Sequence, residues 1–319
     1  MLLLLLLIFL IIVLIFIYII SRKKFNDSVK FVNKSDGCKI FNRCKYLKNF
    51  TEYDRKARNI SPSMNLEEYY CSNILEFSQN DRICFNWLIE EMLNLIPNNH
   101  RFILRNIKIC KLSDVLEMGF PHTHSDCIFI SNTIINTLKD FYNKQDKIGA
   151  IKNIGLTIIH EQLHILQREE SLKFRDLYIN YWGFVYNKKP IVGFDKYTKY
   201  YRSNPDMDDI TWILKLGDNN IVCMSIYKSD NIRLDYIDYI GVYLNDNDIE
   251  YSVSKTRPLN NIKEFTDFFG IYVNQYHPNE ISAELISNYY GHLMGLKKID
   301  LTKPALKSLV KWFDNIKLI

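Results

Sequence analysis

Residues 157 to 166 read Thr157-Ile158-Ile159-His160-Glu161-Gln162-Leu163-His164-Ile165-Leu166, with Glu161 as the only carboxylate in an otherwise apolar run. The spacing predicts a buried helix, within a longer helical stretch from about Ile148 to Phe174. Four residues advance a helix by about 400° and about 6 Å, so His160 and His164 project from one face and can share one metal ion. Glu161 lies about 100° further round, which places its carboxylate beside the open coordination position, where a general base for a bound water belongs. Two imidazoles on an apolar face with no shared purpose would be costly to bury.

The motif and its flanks resemble the extended zincin pattern of zinc peptidases. Gln167 and Glu170 stand where the metzincin subclass has Gly and His, so that subclass is excluded. Further on, His277-Pro278-Asn279-Glu280-Ile281-Ser282-Ala283-Glu284 opens a predicted helix and resembles the NExxAE or NExxSD segment of the gluzincins, the thermolysin-like zinc peptidases. That resemblance implies an α+β zincin-like body and a Zn²⁺ cofactor held by His160, His164 and Glu280, with Glu161 as the catalytic base and Glu284 holding His160 from behind. Glu284, Glu169, Glu170 and His277 are the alternatives for the third ligand. Two imidazoles and one carboxylate leave a zinc site with net positive charge, which acidifies water. The resemblance covers about 20 residues. Between His164 and Glu280 lie 115 residues, more than thermolysin-like enzymes usually have, and this strand-rich insertion is expected to fold away from the metal.

Upstream, Phe120-Pro121-His122-Thr123-His124-Ser125-Asp126 leads into the apolar strand Cys127 to Ser131. In zincins an edge strand before the motif borders the cleft and pairs with extended substrate, and Cys127–Ser131 is the candidate here. His122 and His124 share one face of an extended segment. They are read as turn residues, as cleft-lining residues, or, with Cys127, as part of a second metal site. An oxyanion stabiliser is also required, and His277, Tyr276, Tyr289 and Tyr290 are its candidates, His277 ranking first.

The chain has 319 residues with 47% apolar content, 21 Tyr, 19 Phe, 11 Gly and 8 Pro, which excludes disorder and collagen-like repeats. Lys and Arg number 41 against 36 Asp and Glu, a charge of +5 too evenly spread to signal a nucleic-acid partner. Met1 to Ile20 carries no charge and no helix breaker, and at about 1.5 Å per residue it matches a bilayer core of about 30 Å. Ser21-Arg22-Lys23-Lys24 follows without a small-residue cleavage site, which favours a retained anchor over a signal peptide. The positive-inside rule then puts the body on the cytoplasmic side. Seven scattered cysteines without CxxC spacing give no disulfide framework.

The expected organisation is therefore a transmembrane segment at 1–21, a basic tether at 22–63 and a zinc metallopeptidase domain at 64–319. In the last, helices are expected between Ser63 and Leu95, at about Ser131 to Tyr142 and through the tail, and strands at Phe102 to Cys110 and through the Trp212 to Leu244 region. The expected activity is hydrolysis of a peptide or protein substrate by a single-pass membrane enzyme. A catalytically idle body used as a membrane-tethered binding protein is the alternative.

Overall fold

The computed structural model describes residues 9, 11 and 29–315, apart from 44, 208–211, 229–230, 248 and 271–275. The expected anchor at 1–21 thus lies outside the described residues but for Phe9 and Ile11. Among the described residues no helix is long and apolar enough to cross a membrane.

The chain folds as a mixed α+β body with two sheets. The first contains β1 (Val29–Val32), β2 (Ile74–Leu75), β3 (Ile107–Leu112), β4 (His122–His124) and β5 (Cys127–Ser131) in the order β1-β3-β5-β4, with β2 also paired to β3. β1, β3 and β5 are parallel, and β4 closes the row antiparallel to β5. Side chains alternate across such a sheet, and here both faces are covered. Ile107, Ile109, Ile128 and Ile130 pack into the main core with the helices α2 (Gln79–Leu95), α3 (Asn132–Asn143) and α4 (Leu156–Glu169). Cys110, Leu112, Cys127 and Phe129 face the opposite way, onto Phe41 of α1 (Lys34–Arg43), Tyr46 and Tyr70.

That second face corrects the tether. Residues 29–63 supply an edge strand of the sheet and the helical cover that the far side of the sheet needs, and they carry the buried Asp54 and Arg58. Two other expectations shift. The stretch read as a strand from Phe102 begins as a 3₁₀ turn, Asn98–Leu104, and the strand runs Ile107–Leu112. Cys127–Ser131 is paired on both sides, so the antiparallel edge is the three-residue β4. Between Ser63 and Leu95 the helices are separated at Ser78, where α2 starts and Ser78 and Asp81 form a reciprocal capping box.

The second sheet contains β6 (Phe184–Tyr186), β7 (Ile191–Val192), β8 (Trp212–Leu216), β9 (Asn219–Tyr227), β10 (Ile237–Asp246) and β11 (Tyr251–Pro258), ordered β6-β8-β9-β10-β11-β7. Tyr251-Ser252-Val253-Ser254-Lys255-Thr256-Arg257, with most of its side chains exposed, is a strand because it pairs with β10 and not because of its own pattern.

Two helices frame the site. α4 is preceded by a π-helical turn at Ile151–Gly155, and a Cβ on Gly155 would lie 2.9 Å from Met92 Sδ, so the glycine lets α4 start close against α2. The second is α5 (Pro278–Leu293), followed by α6 (Pro304–Asn315). α4 and α5 run antiparallel and are bolted at both ends. Ser287 Oγ donates to the Leu156 carbonyl at 2.8 Å, and Gln167 Nε2 donates to Asn279 O and Ser282 Oγ, each at 2.8 Å.

Candidate metal centre

His160 and His164 leave one face of α4 and meet Glu280 from the first turn of α5. The two Nε2 atoms approach to 3.1 Å, His160 Nε2 lies 3.5 Å from Glu280 Oε2, and His164 Nε2 lies 3.8 Å from Glu280 Oε1. The three candidate ligand atoms lie within 4.8 Å of one another. Their surroundings set the charge on each. Burial keeps the His164 pKa below its ordinary value, and Gln167 Oε1 lies 2.9 Å from its Nδ1, which frees Nε2 to point at the shared point. Burial would raise the Glu280 carboxyl, but the His164 and His160 charges and a hydrogen bond from His160 hold it down at about 2. Burial likewise opposes charge on His160, yet its hydrogen bond to Glu280 and the Glu161 carboxylate raise it to about 9. Asn204 Nδ2 fixes Glu280 by donating to Oε1 at 2.6 Å.

Glu161 stands beside this group, 5% exposed, and its Oε2 has no hydrogen-bond partner. Burial first and the Asp206 carboxylate second push its pKa well above the ordinary range. Glu161, His164 and Asp206 form a second group whose ligand atoms converge within 4.8 Å, sharing His164 with the first. Asp206 is itself held: Thr123 donates to Oδ1 from its backbone N–H at 3.1 Å and from its hydroxyl, and Arg168 Nη1 lies 3.8 Å away. An N,N,O donor set of two imidazoles and a carboxylate, with a buried carboxylate oxygen left unsatisfied next to it, fits a zinc ion with one position open.

These residues line a cavity of about 690 Å³. Its wall includes His122, Arg58, Glu117, Arg202, Tyr239 and Tyr276, so the cavity draws on segments scattered between residues 58 and 297. Here the insertion is corrected. The Arg202–Asp206 segment, expected to fold away from the metal, lies on it, because Ser203 donates to Asp54 from N at 3.1 Å and from Oγ at 2.8 Å. Strand addition is corrected as well. Besides Cys127–Ser131 being interior, the edge N–H of Thr123 in β4 is already spent on Asp206.

His277 does not serve the cavity. Its backbone is extended at the N-cap of α5, with Pro278 at the first helical position, and its Nδ1 accepts from Asn279 N at 3.2 Å. It lines a separate small pocket with Phe184, Trp212 and Cys223. Tyr290 is also turned away, donating to His100 O at 3.1 Å, and Tyr289 lies against Phe313. Of the four oxyanion candidates Tyr276 lines the cavity. Glu284 lines it too, but accepts from Asn288 Nδ2 at 3.0 Å rather than from His160, on which its charge acts only through space. His122 lines the cavity, stacked on Phe129. His124 packs between Phe41, Tyr46 and Phe129, and neither histidine joins Cys127 in a metal-holding group among the described residues. The six described cysteines are free.

Comparison of the chain with protein-family models, with curated proteins and with solved structures returns no match.

Gln167, Asn204, Asp206 and Arg202 escaped the sequence reading. Gln167 had a signal, being three residues after His164 and hence on the same helix face. The other three sit in Arg202-Ser203-Asn204-Pro205-Asp206, which reads as turn material and bears no fixed spacing to the motif.

Proposed function

We propose that the protein is a zinc-dependent peptidase of the gluzincin type, anchored in a membrane by Met1–Ile20 with its body on the cytoplasmic side. The observation that carries this reading is the convergence of His160, His164 and Glu280 beside the unsatisfied Glu161 carboxylate, from segments 115 residues apart.

His160, His164 and Glu280 hold the ion in this reading. A zinc bound there supplies Lewis acidity, lowering the pKa of water and polarising a peptide carbonyl. Glu161 Oε2 takes a proton from the attacking water and returns it to the departing amine, a task its elevated pKa suits. Tyr276 supports the developing oxyanion. Asn204 Nδ2 donates to the Tyr276 oxygen at 2.5 Å, and among the described residues the Tyr276 hydroxyl donates to no acceptor, so its proton is available to the substrate oxygen. Gln167 and Asn204 keep the ligands oriented, Gln167 through His164 and Asn204 through Glu280.

Zinc content per chain, measured on the purified protein beside its Glu280→Ala partner, tests the metal assignment. One zinc in the parent and markedly less in the variant is expected, and a folded parent without metal overturns it. Peptide turnover that disappears in Glu161→Gln tests the chemistry. Zinc without turnover of any peptide leaves the catalytically idle alternative.

A further inference from the structure

Arg202 is a half-buried cation that forms no ion pair among the described residues. It lines the same cavity as His160, His164 and Glu280, and its Nε is buried with no hydrogen-bond partner. Among the described residues no carboxylate lies within ion-pair distance of its guanidinium. Burial opposes its charge, and Tyr276, Tyr239, Tyr227 and the neighbouring Arg58 act on it through space, as does the Glu280 carboxylate from beyond ion-pair distance. Of the other cations that line the cavity, Lys152 and Lys297 are exposed, and Arg58 is neutralised by Glu117 and Asp54 at 2.9 and 3.3 Å. Nor is Arg202 a loose surface arm. Its N–H donates to Ser225 O at 3.1 Å, and the next two residues are tied to Asp54 and to Glu280. Holding the Nε donor out of water with no acceptor is costly, and such a cost persists where a ligand completes the pair.

We propose that Arg202 binds a carboxylate of the substrate, so that the cavity takes peptides bearing a free carboxylate near the bond to be cut. Guanidinium and carboxylate match fork to fork. The acidic residues on the same wall, Glu161, Asp206, Glu280 and Glu284, disfavour a dianion such as phosphate and admit a single charge. The substrate class rests on the peptidase reading, whereas the carboxylate site does not.

The test is titration calorimetry on the zinc-loaded Glu161→Gln protein, which cannot consume the probe. The probes are N-acetylalanylalanine, its C-terminal amide, and N-acetylaspartylalanine amide. A carboxylate probe is expected to bind about tenfold tighter than the alanyl amide. Preference for N-acetylalanylalanine identifies a C-terminal carboxylate, and preference for the aspartyl amide identifies an acidic side chain. In either case Arg202→Gln, with Glu161→Gln retained, should bring the ratio below about twofold, while Arg202→Lys keeps part of it. Equal binding of acid and amide, a preference that survives Arg202→Gln, or no binding of any probe at about 20 mM overturns the proposal. If Arg202→Gln does not fold, the acid-to-amide ratio in the parent and in Arg202→Lys decides. Zinc content of the same samples separates the two readings. An Arg202-dependent preference in protein that holds no zinc sinks the peptidase and keeps this site, and zinc-replete protein without a preference does the reverse.

Discussion

Two clusters of buried charge share the wall of one cavity and are satisfied to opposite degrees. Arg58 Nε reaches both oxygens of Glu117 at 3.0 Å, its Nη1 donates to Tyr227 Oη at 2.9 Å, and its Nη2 donates to Tyr46 Oη at 2.6 Å. Glu117 accepts further bonds from Tyr46 and Tyr70, and Asp54 from Tyr227 and Ser203. Across the cavity Glu161 has an oxygen with no donor at all, and the charges around it are arranged for something that is not part of the polypeptide. Burial alone therefore does not distinguish structure from function, but the completeness of the hydrogen-bond set does.

The same isosteric substitution on both sides breaks this comparison most directly. Glu161→Gln should reduce peptide turnover by about 10²–10⁴-fold, the range of a lost general base, while zinc content and the urea midpoint stay near those of the parent. A loss of several kcal/mol in folding stability would show that Glu161 belongs to the structural class after all.

Glu117→Gln should do the reverse. Removing one partner of a buried ion pair costs about 3–5 kcal/mol, because Arg58 would remain buried with half its compensation. Glu117 also sits on a strained turn, with φ of 47° at Glu117 and 54° at Met118, positions that L-residues rarely occupy and that the ion pair holds in place. Urea unfolding measures this, and a change under about 1 kcal/mol would remove the network from the list of stabilising features.

Acid titration sharpens the contrast. Burial would raise the Glu117 carboxyl, but the Arg58 charge and the nearby His122 draw it down to about 2 from its ordinary 4.5. A depressed carboxylate stabilises the fold fully above its unfolded value and loses that contribution as pH falls through the folded one. Stability should therefore decline between about pH 4.5 and pH 2 by on the order of 3 kcal/mol from this group, and the slope should be absent in Glu117→Gln.

The motif helix and the α5 start were legible because each is local: His160 and His164 are joined by helical spacing, and Pro278 with Glu280 marks a helix entry. Strands β8 to β10 were legible from their apolar runs between turns. The segment 29–63 was not, since Val29-Lys30-Phe31-Val32 is too short to stand out, and its value comes from covering Cys110 and Phe129, which lie far along the chain. Arg202, Asn204 and Asp206 reach the site through contacts of their segment with Asp54, Thr123 and Ser225, which no periodicity encodes. His277 misled for the opposite reason. Its neighbours in sequence belong to the site, but the helix start claims its ring nitrogen.

Gln167 is where the two kinds of region meet, and it gives the smallest effect. Its amide oxygen lies 2.9 Å from His164 Nδ1 while its nitrogen donates to Asn279 O and Ser282 Oγ, so one amide both sets the imidazole tautomer and clamps the helix that carries Glu280. Gln167→Ala should weaken zinc binding by about 10–100-fold, the usual cost of losing such an orienting partner, and lower stability by only about 1 kcal/mol for the lost hydrogen bonds. Gln167→Glu separates the two roles. It keeps an acceptor for His164 Nδ1 and loses the donor to α5, so zinc affinity retained above the alanine level assigns the effect to the tautomer. Affinity at the alanine level assigns it to the clamp, and a competition titration with a zinc chelator reads both.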